Sequence, residues 1–286
     1  MIKNKKINTS STIFCGSKLL DLSTPVVMGI LNLTNDSFYD GGKYLNEKNA
    51  LIQTEKMLDS GARIIDIGAY SSRPNAKHIN SEEEWRRLEK TLKIINKEFP
   101  SIIKSVDTFR SEIARRSVDN GADIINDISS GELDKNMFDT ISSLQVPYLI
   151  MHMKGTPQNM QNNPQYEFGV VKEVINFFND KISKLNSIGV KNILIDPGFG
   201  FGKSLNHNYQ LLNNLEAFKT FELPLIVGIS RKSMIYNLLE TDAQNALNGT
   251  TALHSLCLTK GASILRVHDV KEAVECIKLI NFAQNQ

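Results

Sequence analysis

The sequence has few cysteines, almost no net charge and no long apolar run, and each of these features excludes a class of protein. Only three cysteines occur among 286 residues, and none belongs to a C-x-x-C pair. Isolated cysteines predict small buried thiols in a reducing compartment, so we expect neither a disulfide framework nor a cysteine-based metal site. The formal net charge of +2 gives no reason to expect nucleic acid or an anionic membrane as a partner.

The sequence also has no segment that predicts membrane insertion or secretion. No apolar stretch approaches the roughly 20 residues that a membrane-spanning helix needs. The N-terminal segment MIKNKKINTSST is basic, but the apolar core of a secretory signal peptide does not follow it. We therefore expect a soluble protein, located in the cytoplasm and without a membrane partner.

What the sequence does contain is a series of eight short apolar runs after Pro25, separated by segments of helical pattern. The runs are VVMGIL, RIIDIGA, IIKSVDT, IINDIS, YLIMHM, ILIDPG, PLIVGIS and ILRVHD. Strands that alternate with helices indicate an α/β fold with a parallel sheet. Eight such units predict a (β/α)8 TIM barrel over residues 25–286.

Residues 1–24 differ from this pattern. Within them, TIFCGSKLLDL predicts two short strands around a turn at 15–18, a β-hairpin that could plug the lower mouth of the barrel. No linker or low-complexity stretch interrupts the chain. We therefore expect one barrel domain over residues 1–286, with the hairpin as its N-terminal extension.

The segments between the apolar runs carry helix signals. Apolar residues at helical spacing predict helices over 46–61, 81–99, 110–121, 171–189 and 244–261. The first is expected to stop at Gly61. The second is expected to begin with Ser81 as its N-cap, followed by glutamates that complement the helix dipole.

Polar and charged side chains stand at the ends of nearly all the runs. They are Asn32, Asp66, Asp107, Asn126, His152, Asp196, Arg266 and His268. In parallel barrels the C-terminal strand ends build the active site, so we expect these side chains to meet at one mouth. Asp107, Asn126 and Asp196 suit the edge of a planar, nitrogen-rich heterocycle, because a carboxylate gains directed hydrogen bonds from an amino-pyrimidine. The alternative is a purely structural network inside the barrel.

Two further motifs follow the sixth and seventh runs. DPGFGFGK, residues 196–203, has three glycines that permit close backbone approach to a ligand and two phenylalanines that can shield it. It lacks the G-x-G-x-x-G register of a dinucleotide fold. SRKS, residues 230–233, lies where barrels often bind phosphate.

These basic residues suggest an anion site. Arg231 and Lys232 of SRKS, with Arg73, Arg266, His268 and Asn32, form a candidate pyrophosphate pocket. A Mg²⁺ ion held by few protein ligands would fit there, because Mg²⁺ usually keeps several waters. Considered singly, Arg231 and Lys232 could equally be surface residues at a helix end.

Three long connections lie on the predicted catalytic face. Residues 34–44, 70–80 and 154–166 are rich in Gly, Pro, Asn or Ser. Each could be an ordinary surface loop, but three on one rim predict lids over a ligand.

Seven motifs, taken in order and spacing, resemble the dihydropteroate synthase family. They are MGILNLTNDSFYDGG, SVDTFR, INDISS, MHMKGTPQNMQ, DPGFGFGK, GISRKSMI and LRVHDV, and the similarity runs from about Pro25 to the C-terminus. The resemblance implies a pterin-binding TIM barrel and a transferase of folate biosynthesis. This family joins 6-hydroxymethyl-7,8-dihydropterin pyrophosphate to p-aminobenzoate and releases pyrophosphate and 7,8-dihydropteroate. The resemblance further implies SN1-like chemistry with Mg²⁺-assisted departure of pyrophosphate, small-molecule substrates and a homodimer.

The resemblance also assigns site residues by matching positions. For the pterin they are Asp107, Asn126, Asp196, Lys232 and Arg266. For the pyrophosphate they are Asn32, Arg73, Arg266 and His268, with Asn32 also as the metal position. For p-aminobenzoate, where sulfonamides compete, they are Phe38, Ser72, Pro74, Phe201 and Ser233. The catalytic set is expected to be Asn32, Arg73, Lys232, Arg266 and His268, while the role of Asp66 stays open.

The sequence departs from the family pattern in two of the long loops. Asn35 replaces a usual Pro and Tyr39 replaces a frequent Ser; Tyr70 stands at the Glu of a common Gly-Glu-Ser-Thr, and Asn75 replaces Gly. These changes concern p-aminobenzoate affinity, loop closure and sulfonamide sensitivity. They leave the motifs assigned to the pterin intact.

Three other interpretations stay open at this point. A methyltetrahydrofolate methyltransferase shares pterin-recognising carboxylates but holds no pyrophosphate, so the cationic groups at 230–232 and 266–268 argue against it. An aldolase would use Lys232 as a Schiff-base lysine, although this lysine lies at a predicted helix start. A non-catalytic pterin-binding paralogue would be consistent with the altered loops.

Overall fold

In the computed structural model, which describes residues 12–33, 43–71 and 78–286, eight parallel strands form a ring. The barrel strands are β3 (Val26–Asn32), β4 (Ile64–Gly68), β5 (Ile103–Asp107), β6 (Ile124–Asp127), β7 (Tyr148–Met151), β8 (Ile193–Asp196), β9 (Ile226–Val227) and β10 (Ile264–Val267). Their hydrogen-bonded order is β8, β7, β6, β5, β4, β3, β10, β9. The eight apolar runs therefore correspond one to one to the barrel strands.

The ring closes between β8 and β9 by a minimal contact. A single bridge joins Ile195 to Leu225, and the Ile195 N–H donates to the Pro224 carbonyl at 3.0 Å. β9 has only two residues. Pro224, two positions before it, has no backbone N–H that could donate a hydrogen bond to a neighbouring strand. The (β/α)8 barrel predicted from the sequence is confirmed, with one narrow seam.

Helices cover the outside of the barrel between consecutive strands. They are α1 (Lys43–Asp59), α2 (Ser81–Glu98), α3 (Ser111–Asp119), α4 (Met137–Leu144), α5 (Val170–Ser187), α6 (Leu205–Asn213), α7 (Ser233–Tyr236), α8 (Leu247–Thr259) and α9 (Val270–Gln284), with a 3₁₀ helix at Leu215–Phe221. All five helices predicted from spacing are present. Within the described ranges, no helix is long and apolar enough to cross a membrane.

The start of α2 corrects one detail of the sequence prediction. The N-cap is Asn80, whose backbone is extended and whose Oδ1 accepts a hydrogen bond from the Glu83 N–H at 2.9 Å. Ser81 is the first helical residue. An asparagine carbonyl caps a helix as well as a serine hydroxyl does, so composition alone did not separate the two neighbours.

The N-terminal hairpin seals the end of the barrel where the strands begin. β1 (Thr12–Cys15) and β2 (Lys18–Asp21) pair antiparallel, and their buried residues Ile13, Cys15 and Leu20 pack on the first residues of the barrel strands. Burying such side chains contributes about 1.5–3 kcal/mol each. Lys18 Nζ adds an ion pair with Asp123 Oδ2 at 2.8 Å. The plug predicted from the sequence is confirmed, and the opposite mouth is left for ligands.

Candidate functional site

A fully buried carboxylate, Asp66 on β4, organises the C-terminal mouth of the barrel. It accepts hydrogen bonds from Ser105 Oγ at 2.6 Å, from Asn126 Nδ2 at 3.1 Å and from Arg266 Nε at 2.7 Å. Three strands thus direct a donor at one acid. Because its oxygens are engaged by protein donors, Asp66 is a positioning residue, which answers the question that the sequence left open.

Arg266 connects this buried acid to the mouth. Its Nη2 donates to Asp107 Oδ2 at 2.9 Å while its Nε remains on Asp66. Burial raises the pKa of the Asp107 carboxyl, although the Arg266 guanidinium opposes that shift. The sequence left open a purely structural network of polar residues inside the barrel. Part of that network is present, and it holds Asp107 and Asn126 at the strand ends.

A second acid, Asp196, faces Lys232 across the mouth. Burial raises the pKa of Asp196, with the Lys232 ammonium acting against the shift. Burial lowers the pKa of Lys232 to about 8. Lys232 Nζ donates to the Phe199 carbonyl at 2.5 Å and lies 4.7 Å from the centroid of the Phe201 ring. Lys232 therefore lies within the mouth, and the surface role considered for it is wrong.

The glycine-rich loop after β8 lies directly against the backbone that follows β7. Gly198 has a φ of +73°, and a Cβ built there would lie 1.9 Å from the His152 carbonyl oxygen. At Gly202 the same construction comes within 2.3 Å of the Lys154 carbonyl oxygen. The Gly198 N–H also donates to Asp196 Oδ1 at 2.7 Å. The glycines serve close packing between loops, and the first one orients the acid.

We expect Gly198→Ala to destabilise the fold far more than Gly189→Ala. Both glycines have a left-handed φ, which costs an L-residue about 1–2 kcal/mol, but a Cβ on Gly189 meets nothing within 4 Å. The clash with the His152 carbonyl adds overpacking of about 1–3 kcal/mol. Urea unfolding followed by circular dichroism measures both losses. Equal losses would contradict the close approach.

An apolar cluster adjoins these polar groups. Phe109, Ile128 and Met151 are buried together, with Phe201 and Tyr70 packed against them. Phe109 and Ile128 follow Asp107 and Asn126 by two positions, and Met151 is the register partner of Asp196. The mouth therefore combines directed acids, two cations and an apolar wall, which is suited to a flat, polar-edged ring.

The cationic rim is smaller than the sequence indicated. Arg231 makes a two-bond ion pair with Asp269, each bond 2.8 Å long, and its third nitrogen donates to the carbonyls of Ala243 and Gln244. An anion role would require breaking these bonds, so the prediction of Arg231 in the pyrophosphate pocket is wrong. A planar guanidinium holds two carboxylate oxygens at once, which the sequence did not reveal.

The other predicted rim residues lie around the strand ends. Ser230 Oγ and His268 Nδ1 are 3.1 Å apart, and the exposed His268 side chain lies at the edge of the mouth. Ser233 is exposed as the first residue of α7, and Asn32 ends β3 half-buried. Phe38, Ser72, Arg73 and Pro74 lie outside the described residues, as do the departures at Asn35, Tyr39 and Asn75.

Tyr70, noted in the sequence only as a departure from the family pattern, ties two rim loops together through Gln158, which sequence reasoning did not single out. Tyr70 packs edge-on against Phe109 with ring centroids 4.9 Å apart, and its hydroxyl lies 3.2 Å from His78 Nδ1. Gln158 Nε2 also donates to that hydroxyl at 3.1 Å. Lys203, the last residue of DPGFGFGK, is buried against His152. Its motif was the only signal available, because burial of a lysine is not visible in a sequence.

Known proteins with the same sequence pattern and fold form a consistent group. A family described as pterin binding enzyme matches residues 28–268. A dihydropteroate synthase from Haemophilus influenzae is 42% identical over 269 residues, covering 93% of this chain and 97% of that protein. The Yersinia pestis dihydropteroate synthase, solved as a complex with a sulfonamide drug, has a TM-score of 0.90 and 40% identity, covering 96% of this chain and 100% of the other. The Xanthomonas albilineans enzyme, solved with 4-aminobenzoic acid, has a TM-score of 0.90 and 35% identity, covering 97% and 100%.

Proposed function

This chain belongs to the dihydropteroate synthase family of pterin-binding enzymes, and from that premise we propose how its own residues carry out the reaction. The reaction joins 6-hydroxymethyl-7,8-dihydropterin pyrophosphate to p-aminobenzoate and yields 7,8-dihydropteroate and pyrophosphate. The observation that carries the residue assignment is the convergence of Asp107, Asn126, Asp196 and Lys232 on one mouth beside an apolar wall.

The acids and the amide bind the edge of the pterin ring. A 2-amino-4-oxo pyrimidine edge presents N–H donors, which suit the carboxylates of Asp107 and Asp196, and the Asn126 amide can serve either kind of partner. Lys232 is placed to donate to a ring oxygen or nitrogen. Arg266, held by Asp66 and Asp107, presents its guanidinium plane to the ring. The buried network fixes these groups before the substrate arrives.

The chemical step divides into departure and attack. The C–O bond to the pyrophosphate breaks with its electron pair leaving on oxygen, and the resulting positive charge is delocalised into the electron-rich pterin. The buried carboxylates of Asp107 and Asp196 stabilise that charge. The aniline nitrogen of p-aminobenzoate then attacks the exocyclic carbon and loses a proton. Holding both reactants in line contributes about 7–11 kcal/mol in well-oriented systems.

The departing pyrophosphate is held at the rim by Asn32, Arg73, Arg266 and His268. Removing one preorganised donor from a developing anion costs roughly 2.7–4 kcal/mol in other enzymes. Of these residues, Arg73 is assigned from the motif alone. Arg266 therefore links the two halves of the reaction, because it is also placed against the pterin.

The residues present fit a Mg²⁺ ion bound mainly through the substrate. Asn32 would hold it: Asn32 Oδ1 and Asp107 Oδ2 each lie 3.8 Å from a Cβ built on Gly68, so two side-chain oxygen atoms lie beside the end of β3. Among the described residues no three His, Cys, Asp or Glu side chains form a metal cluster, which agrees with an ion that keeps several waters. When bound, Mg²⁺ supplies positive charge to the leaving group.

p-Aminobenzoate binds above the pterin, between the rim loops. Phe201 supports this placement, since its ring is partly buried against the apolar wall beside Lys232. Ser233 contributes an exposed hydroxyl, and Phe38, Ser72 and Pro74 complete the set from the motif. This site is also where a sulfonamide would compete.

The test of the proposed function is an assay with both substrates and Mg²⁺. We expect pyrophosphate release that depends on p-aminobenzoate and yields 7,8-dihydropteroate, detected by mass spectrometry. Pterin binding without any product under these conditions would instead identify a non-catalytic pterin-binding paralogue.

The alkaline limb of the activity profile tests the role of Lys232. Because burial lowers the pKa of Lys232 to about 8, its ammonium loses its proton above that pH, and kcat/KM should fall. Lys232→Arg keeps a charge that does not titrate in this range. We expect the variant to be slower but its alkaline limb to move upward by a pH unit or more. An unchanged limb would assign the titration to the substrate.

We also propose a homodimer that acts in the cytoplasm. Leu256 on α8 and Leu279 and Phe282 on α9 are large apolar side chains that are 45–72% exposed on two packed helices. Single exposed residues are ordinary, but three on adjoining helices suit a subunit interface. Sedimentation of the native chain and of Phe282→Glu distinguishes a dimer from a monomer.

All three cysteines are buried free thiols, which is consistent with a reducing compartment.

A further inference from the structure

A buried lysine that the reaction does not use ends the glycine-rich loop 196–203. Lys203 is 3% exposed, and burial lowers the pKa of its amine group well below the ordinary value. Its Nζ lies 2.9 Å from His152 Nδ1, 3.2 Å from the His152 carbonyl and 3.0 Å from the Phe201 carbonyl. The two carbonyls accept hydrogen bonds from Nζ, and the imidazole nitrogen is its third polar partner.

His152 is a buried partner of this lysine. Burial lowers the pKa of His152 well below its ordinary value, and the charges of Lys203 and Lys154 act in the same direction. A neutral imidazole therefore pairs with the lysine amine group without bringing a charge of its own.

Lys203 joins two loops that meet at the mouth. One end of its contact is the carboxyl end of β7, through His152, and the other is the loop that also carries Asp196 and Phe199. The Phe199 carbonyl accepts from Lys232 Nζ. Because Gly198 leaves no room between the loop and the His152 carbonyl, a small shift of the loop would move Asp196 and Lys232 together.

We propose that Lys203 is a positioning residue for the pterin site, because its hydrogen bonds to the His152 and Phe201 carbonyls clamp the 196–203 loop to the end of β7. The proposal rests on the proposed function in one respect, the assignment of Asp196 to the pterin.

The experiment compares Lys203→Met, which removes the hydrogen-bond donor, with Lys203→Gln, which keeps a donor on a side chain of similar length. The matched control is Lys191→Met, an exposed lysine just before β8. Calorimetric affinity for the pterin pyrophosphate is measured at pH 7, and amide hydrogen exchange is followed in peptides covering 196–203. Folding of each variant is checked by circular dichroism.

We expect Lys203→Met to bind at least tenfold more weakly at pH 7, with faster exchange in the loop. Lys203→Gln should restore most of the affinity and most of the loop protection, because its amide N–H groups can still donate to the carbonyls. Lys191→Met should match the native chain.

Two outcomes would overturn the proposal. Native affinity and native loop exchange in Lys203→Met would show that the clamp does nothing, and a loss in Lys203→Gln as large as in Lys203→Met would show that the donated hydrogen bonds do not position the loop. If Lys203→Met does not fold, Lys203→Gln decides: near-native affinity supports the clamp, and a tenfold loss contradicts it. If the native chain itself does not bind the pterin pyrophosphate, the proposed function fails, whereas loop exchange still decides the clamp.

Discussion

We expect Asp196→Asn to lose affinity for the pterin pyrophosphate by about 100-fold or more. An amide keeps the size of the carboxylate but replaces one acceptor with a donor, which would face the N–H groups of the pterin edge. A hydrogen bond to a charged group contributes about 1.5–3 kcal/mol, and an unsatisfied buried partner adds about 1–3 kcal/mol. The ammonium of Lys232 would also lose the acid that compensates it.

Calorimetry with the pterin pyrophosphate measures this loss. Asp180→Asn is the matched control, because it makes the same chemical change at an exposed position on α5. Circular dichroism establishes whether the Asp196 variant is folded. Unchanged binding in a folded Asp196→Asn variant would contradict the assignment of this acid to the pterin.

We expect Asp66→Asn to reduce the free energy of unfolding by about 3–5 kcal/mol, since removing one partner of a buried ion pair leaves an uncompensated charge. Asp66 is fully buried and accepts hydrogen bonds from the side chains of Ser105, Asn126 and Arg266. The side-chain amide of the variant carries N–H groups, which would face some of the N–H and O–H groups that now donate to the carboxylate. The loss is therefore larger than the removal of one hydrogen bond.

Urea unfolding gives the loss, with Asp119→Asn at the exposed end of α3 as the control. Exposed substitutions of this kind usually change stability by no more than about 0.5 kcal/mol. A double variant, Asp66→Asn with Arg266→Met, should cost less than the sum of the single losses, because it removes the unpaired guanidinium as well. Additive losses would show that the pair is not coupled.

The predictions for Asp196 and Asp66 concern two different properties, ligand affinity and the free energy of unfolding. Asp66 is predicted to act on stability because its partners all belong to the protein, whereas Asp196 is predicted to act on binding because its free side faces the mouth. A sequence shows both simply as an aspartate at a strand end. Only the partners in the structure distinguish them.

The pattern of the chain was sufficient for the architecture. Apolar runs of strand length alternating with helical segments predicted the barrel, the hairpin and the mouth where the polar groups meet, and all of these are confirmed. Not every helix was predicted: α4, α6 and α9 were not singled out from the sequence. The N-cap of α2 was misplaced by one residue.

The candidate site could be predicted as a location but not as a set of roles. The sequence placed Asp107, Asn126 and Asp196 at one mouth, because strand direction alone determines that. It could not show that Arg231 is engaged by Asp269, since the two residues are separated by 38 positions along the chain and meet only after the barrel closes.

The sequence by itself determined the periodicities, the order of the motifs and the chemical type at each strand end, since these depend on local composition. The tertiary structure alone decided which polar groups face each other: Arg266 between Asp66 and Asp107, Lys232 against Asp196, and Lys203 on His152. The physical reason is that burial and partnership determine charge state and availability. Both arise between residues far apart in the chain, when eight strands bring them to one ring.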